Sequence, residues 1–509
     1  MEDCEIYSSS AAAVKFPQRQ IATKKDICCR VIEPSPSIGT VKNKKGVRKL
    51  NHQKRVIGLF AGIFAAVILY AAPIAGLSRE GQICLSLTIM TVIFWACQVA
   101  QPGYVSALLL ALYVVLGVAE PPVVFSAWTG TTIYLIIGAY LIASAVKNSG
   151  LGERIAYWFI VRFMHSYQSI FISIFGLTFV LSVIIPHPWP RAFLIMSIIR
   201  EVIENAKIPR KDAVPIGYAV FAASVPVSMI FLTGDSSINP LAVQYAGVEL
   251  GWFGWLKLMG VPCAAASVLT CAALLAVFRP SQPVLVDKES ARQRLAAMGK
   301  LGRQELRAII WLSAAVVLWA TDSIHGIDIG WVTLIIAMLM SMPLVGELLP
   351  AQAWSEVPVH VLLFITAAMA IGRVGAATGM NAWIADTVFP GAAPSNPFLF
   401  AALIAAVSIV IHMLLGSVIA VMGVAIPAIL AFTAHTSLNP LVPALWVLSA
   451  INLHYVFPFQ NMSILVGCGE ENGLYTQRET IRFSIPLLAI TLFVIVVVET
   501  LWWKVLGLL

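Results

Sequence analysis

Three short stretches hold the residues that could do chemistry. The first, Leu181–Ser197, reads LSVIIPHPWPRAFLIMS and sets Pro186, Pro188 and Pro190 around His187, with Arg191 directly after. The second is TGDSSINP at Thr233–Pro240, and the third is FPFQN at Phe457–Asn461. Each interrupts an apolar run. Proline removes a backbone donor and resists continuing a helix. Broken backbone at membrane depth persists only when buried in protein or lining a wet cavity. A charged side chain there is costly, so its first reading is functional. The Arg191 guanidinium could grip a carboxylate or sulfate bidentately, supply a fixed positive charge, or pair with Asp235. His187 could titrate near neutral pH, or serve as a hydrogen-bonded core histidine. Thr233, Gly234, Asp235, Ser236, Ser237 and Asn239 offer hydroxyl, carbonyl and carboxylate oxygens, a set that suits a small hard cation such as Na⁺. The plain alternatives are a solvated turn at 233–240 and an aqueous loop at 186–190.

These stretches need a membrane scaffold. The chain has 509 residues, of which 59% are apolar and only 11% charged, the balance of an all-α polytopic membrane protein rather than a soluble domain. Residues 1–55 hold twelve Lys or Arg against five acids, so they carry +7 of the total +8. They read as a disordered basic tail that keeps the N-terminus cytoplasmic and favours no secretory signal. A charge so placed gives no reason to expect a nucleic-acid partner. The eight cysteines show neither a zinc nor a redox spacing, and HExxH and GxSxG are absent, which leaves an intramembrane enzyme only the weak pair of His187 with Ser182. No cofactor is expected beyond a coupling ion.

Apolar runs divide the remainder into residues 56–278, a polar cytoplasmic linker at 279–307, and residues 308–509. GLGERIAYW at Gly150–Trp158 precedes two apolar arms, a broken span and a final helix. GMNAWIADT at Gly379–Thr387 precedes the same series of elements. With one extra N-terminal helix, this predicts two inverted repeats and about 11 transmembrane segments. The charges agree with the positive-inside rule only if the arms flanking Pro186–Pro190 enter and leave on the cytoplasmic side, as a re-entrant hairpin.

This layout, with FPFQN and the downstream GCGEENGLYTQRETIRF, resembles the divalent anion:sodium symporter family, carriers of succinate, malate, citrate and sulfate. The resemblance covers roughly residues 57–508 and implies a Ser-Asn-Thr signature at each hairpin tip, facing a small-residue loop in each broken helix. Here the tip positions are Pro186, His187 and Pro188, then Ser417, Val418 and Ile419, where only the serine matches. The resemblance makes these residues, with Arg191, the candidate substrate contacts. Gly234, Asp235, Ser236, Ser237 and Asn239, with Phe459, Gln460 and Asn461, become the candidate ion contacts. It implies a cation-coupled carrier of small divalent anions in the cell membrane, moving elevator-fashion as a homodimer. A proton-coupled or exchange-type carrier and a non-transporting sensor paralogue remain open. Arg191 lies one turn past the tip, and at roughly 4 Å a fixed charge repels Na⁺ by about 4 kcal/mol at an effective dielectric near 20. Unless Asp235 neutralises that charge, the first sodium site is therefore expected to be weak or absent.

Overall fold

The computed structural model describes residues 38–388, 394–434, 436 and 438–509. It is helical throughout the described residues, whose only β contact is an isolated bridge between Ser166 and Leu285. Seven described helices are long and apolar enough to cross a membrane, among them Gln53–Ala71, Thr132–Ser149, Trp252–Val277 and Val359–Ala377.

One expectation needs correction at the start of the chain. The first helix runs Ile38–Ala71, so it takes in residues 38–55 of the segment read as a disordered tail; residues 1–37 of that tail lie outside the described residues. Lysine and arginine are good helix formers, and the adjoining apolar span supplies the costly nucleus, so the helix can propagate back into the basic run. The linker is helical too, over Glu289–Ala297.

Gly150 and Gly379, the glycines that open the two matching motifs, both adopt positive φ, +77° and +79°. Each ends a long helix and starts a short amphipathic one, Leu151–Phe163 and Met380–Val388. Only glycine takes this left-handed turn without strain. The Arg154 guanidinium ties the first short helix to the end of the linker, meeting Glu305 at 2.6 and 3.0 Å and the Gly299 carbonyl at 2.9 Å.

The first hairpin consists of Tyr167–Ile184 and Pro188–Asn205. Both of its open ends rest on the linker. Ser166 bridges Leu285 at the start of the first arm. Glu201, near the end of the second, accepts from Tyr157 and Ser290 at 2.8 Å each. The two arms therefore begin and end at the same side of the protein. The second hairpin is Pro397–Leu415 and Val418–Thr433. The short helix before it meets the loop after the first span, where Trp383 Nε1 donates to the Ala75 carbonyl at 3.1 Å.

The first broken helix is Arg210–Ser228 with Asn239–Ala246, and the second Leu441–Leu453 with Met462–Gly467. Arg210, the first residue of one, pairs with Glu470, just past the last residue of the other, at 2.6 Å. Arg200 donates to the Glu470 and Asn472 carbonyls at 3.1 and 2.7 Å. The two broken helices thus run antiparallel.

Candidate functional site

Each hairpin docks on the break of its own half. At the first tip, Ser236 N donates to the Pro186 carbonyl at 3.4 Å. Arg191 is wholly buried. Its guanidinium donates to the carbonyl of Ile185 at 3.0 Å, to that of Gly234 at 3.4 Å and to Ser228 Oγ at 2.5 Å. Ser228 Oγ in turn donates to the Ser224 carbonyl. No ion pair joins Arg191 to Asp235 among the described residues. The guanidinium sits inside a cage of oxygens. Gly234 must be glycine, since a Cβ there would lie 2.4 Å from the Ser228 carbonyl oxygen. At the second tip, His412 Nε2 meets the Gln460 carbonyl at 3.0 Å and Gln460 Nε2 reaches the His412 carbonyl at 3.5 Å.

His187 caps the helix Pro188–Asn205, its Nδ1 accepting from Trp189 N at 3.3 Å. Nε2 lies 3.0 Å from the Tyr140 hydroxyl. An accepting Nδ1 leaves the ring proton on Nε2, so this geometry belongs to the neutral imidazole. The reading of His187 as a titrating group meets a physical objection here, since protonation would break the cap, whereas the hydrogen-bonded core histidine fits.

The two tips offer an anion very different surfaces. At the first, Pro188 and Pro190 have no N–H and Trp189 N is taken by His187, so the first three helical residues present no free donor. At the second, Gly416 turns the chain at φ +64°, where a Cβ would strike the Phe459 ring at 2.7 Å. Ser417 caps Val418–Thr433 by accepting from Ala420 N at 3.4 Å. The Val418 and Ile419 amides have no hydrogen bond among the described residues. They form the positive end of a helix, which favours an anion.

A narrow cavity of about 50 Å³ lies between the tips and brings both halves together. His187, Asp235, Ser237, Val418, Ile419 and Asn461 line it, as the sequence led one to expect. Pro186, Pro188, Arg191, Ser417, Gly234, Ser236, Asn239, Phe459 and Gln460 are not in its wall. Arg191 stands behind the tip, its Nη1 and Nη2 turned to the Ile185 and Gly234 carbonyls and to Ser228 Oγ, while Nε is unpartnered. Gln460 Oε1 accepts from Val456 N and Phe457 N at 2.7 and 2.8 Å, so it holds the loop together. Phe459 stacks on Phe457 at 5.4 Å, with Lys54 over its ring.

Sequence reasoning missed Trp189, Ser224, Asn452 and Ser463, which also line the cavity. Asn461 Nδ2 donates to Asn452 Oδ1 at 2.9 Å. An asparagine at the end of the helix before the break, nine residues ahead of Asn461, was the available signal. Trp189 also lines a neighbouring cavity of about 450 Å³ that holds Lys147, Glu153 and Glu356. It stands between the two spaces.

The first break retains unused oxygens. Asn239 Nδ2 donates to the Ser228 and Phe231 carbonyls at 2.8 and 3.0 Å, while its Oδ1 is unpartnered, as are Ser236 Oγ and Ser237 Oγ. Asp235 Oδ1 accepts from Ser237 N at 3.1 Å. Buried acceptors without donors are rare, and oxygens of this kind could hold a cation.

Residues 53–509 match the family described as the sodium:sulfate symporter transmembrane region. A membrane protein of Cupriavidus necator is 22% identical over 88% of this chain and 93% of its own length. A putative malate transporter of Bacillus subtilis is 25% identical over 54% of this chain and 60% of its own. The L-tartrate/succinate antiporter of Escherichia coli is 24% identical over 64% and 67%. This chain therefore belongs to the sodium:sulfate symporter family, whose members are multi-pass membrane transporters and not enzymes.

Proposed function

We propose that this chain is a secondary-active transporter of small divalent anions, dicarboxylates of the malate and succinate type before sulfate, coupled to a cation. The observation that carries the reading is the cavity between the tips, walled by residues of both hairpins and both breaks. A carboxylate of the substrate would take the Val418 and Ile419 amides. Asp235 is in the same wall, which holds no Lys or Arg, so a dianion enters only when a cation offsets that carboxylate. The unpartnered oxygens of Ser236, Ser237 and Asn239 beside Asp235 would hold that cation. Arg191 occupies the oxygens of Ile185 and Gly234, leaving the first tip no second place for Na⁺.

We read the antiparallel broken helices as inverted copies that exchange access by an elevator-like movement. Residence in the cell membrane as a homodimer, with the N-terminus cytoplasmic, belongs to the same proposal. An exchange-type cycle is favoured by one feature, the built-in guanidinium, which supplies positive charge without an ion. Purified protein in liposomes should accumulate radiolabelled malate or succinate under an inward Na⁺ gradient. Uptake only in exchange for internal dicarboxylate would favour the exchanger, and neither flux would refute transport of these anions.

A further inference from the structure

The last span carries a carboxyl group that the central cavity does not use. Glu499 is wholly buried at the end of a π-helical stretch, Val494–Glu499, inside the apolar helix Gln477–Val505. Single π turns often mark functional positions, since they displace a side chain from the regular helical register. Ser449 Oγ donates to Glu499 Oε1 at 2.5 Å, and Oε2 has no partner. Trp446 and Trp503, one turn away on the two helices, pack at 6.0 Å and close the site to water.

No cation compensates this group. Glu499 takes part in no ion pair among the described residues. Of the elements packed against it, Leu441–Leu453 has no titratable side chain, and Trp252–Val277 has buried Cys263, half-buried Cys271 and exposed Lys257, which stands in no ion pair among the described residues. Pro397–Leu415 has His412, held on the Gln460 carbonyl. Thr500–Val505 has exposed Lys504, and Gln477–Phe493 has Arg478, Glu479 and Arg482 at its start. A lone ionised carboxylate in such a place is costly. Ser449 also connects it to the cavity. Asn452 lies one turn further along the same helix face and lines the cavity wall, bonded to Asn461.

We infer that Glu499 is a proton-binding site of the transport cycle, loaded in this conformation and linked through Ser449 and Asn452 to the anion cavity. Its transport consequences rest on the function proposed above; its proton affinity does not. Glu499→Gln imitates the protonated acid and keeps an acceptor for Ser449. In liposomes, malate–malate exchange by E499Q should stay within about twofold of wild type, because exchange never requires the proton to leave. Net malate uptake should fall more than about tenfold, since the empty carrier must return unloaded. Ser449→Ala, which leaves the acid in place, should retain pH-dependent uptake with a shifted midpoint. A second readout needs no substrate: the melting temperature of purified wild type should drop relative to E499Q as pH is raised. Parallel melting curves across pH, or net uptake by E499Q with the wild-type pH profile, would overturn the inference. If the melting curves diverge while neither protein moves malate, Glu499 still binds its proton and the transport reading is what fails.

Discussion

The two hairpin tips occupy equivalent places and solve the same electrostatic problem by opposite means. The first closes its helix start with Pro188, Pro190 and a His187 cap, and puts its positive charge in the buried Arg191 side chain. The second has no charge, turns on Gly416, and leaves the Val418 and Ile419 amides free. A tip without donors cannot hold a carboxylate, and a tip without oxygens to spare cannot hold a second sodium ion. Under the proposed function the contrast divides the labour: anion at the second tip, fixed charge at the first, and one cation beside Asp235.

The largest effect should come from removing the fixed charge. Arg191→Met strands the Ile185 and Gly234 carbonyls and Ser228 Oγ in a dry interior, at about 1–3 kcal/mol for each acceptor left without its donor. Thermal unfolding in detergent should show a marked loss of stability, with no uptake. Arg191→Lys, which keeps a charge but not the fork, should recover folding only in part. Wild-type stability in Arg191→Met would mean that the oxygen cage is incidental.

A sharper test makes the second tip resemble the first. Val418 is the first helical residue, where proline is tolerated, and Ser417 already has the extended backbone that precedes proline, φ −148° and ψ 122°. Val418→Pro should therefore fold while losing one donor to the substrate. A hydrogen bond to a charged group contributes about 1.5–3 kcal/mol, so KM for malate should rise between tenfold and a hundredfold. An unchanged KM would move the anion away from this helix start.

Smaller losses are expected at the polar residues that shape the second half. Ser417→Ala removes a helix cap, at about 1 kcal/mol, and Asn461→Ala removes both the cap of Met462–Gly467 and the Asn452 contact. Both variants should reach the membrane folded and take up malate several-fold more slowly. Wild-type uptake by both would make the second site vestigial. The smallest change should follow His187→Asn, since asparagine also caps Trp189 N. The pH profile of uptake should stay as in wild type; a profile flattened by this substitution would restore His187 as the titrating group.

Much of this was legible before any coordinates, and the pattern of success is physical. Prolines, a buried charge and polar residues inside apolar runs announce where helices must break, so the hairpins and breaks were found with the family resemblance. Direction was harder. For Arg191 the sequence leaves anion ligand, fixed charge and partner of Asp235 open, and its actual partners, the Ile185 and Gly234 carbonyls and Ser228 Oγ, are ones that no sequence pattern displays. Gln460 and Phe459 lie in the matching loop, but the break turns Gln460 back onto Val456 and Phe457. Asn452 and Glu499 escape a sequence reading because each lies within a long apolar run with no proline or glycine beside it to mark a break. Their meaning depends on what packs opposite, Asn461 for one and Ser449 for the other.

The division between the tips is tested most directly by uptake of radiolabelled malate into liposomes as a function of external Na⁺. With Arg191 filling the oxygen cage at the first tip, at most one Na⁺ should accompany the anion, giving a saturable dependence with a Hill coefficient of about one. A coefficient of two or more would mean that a second sodium site exists beside the guanidinium, and would contradict the account.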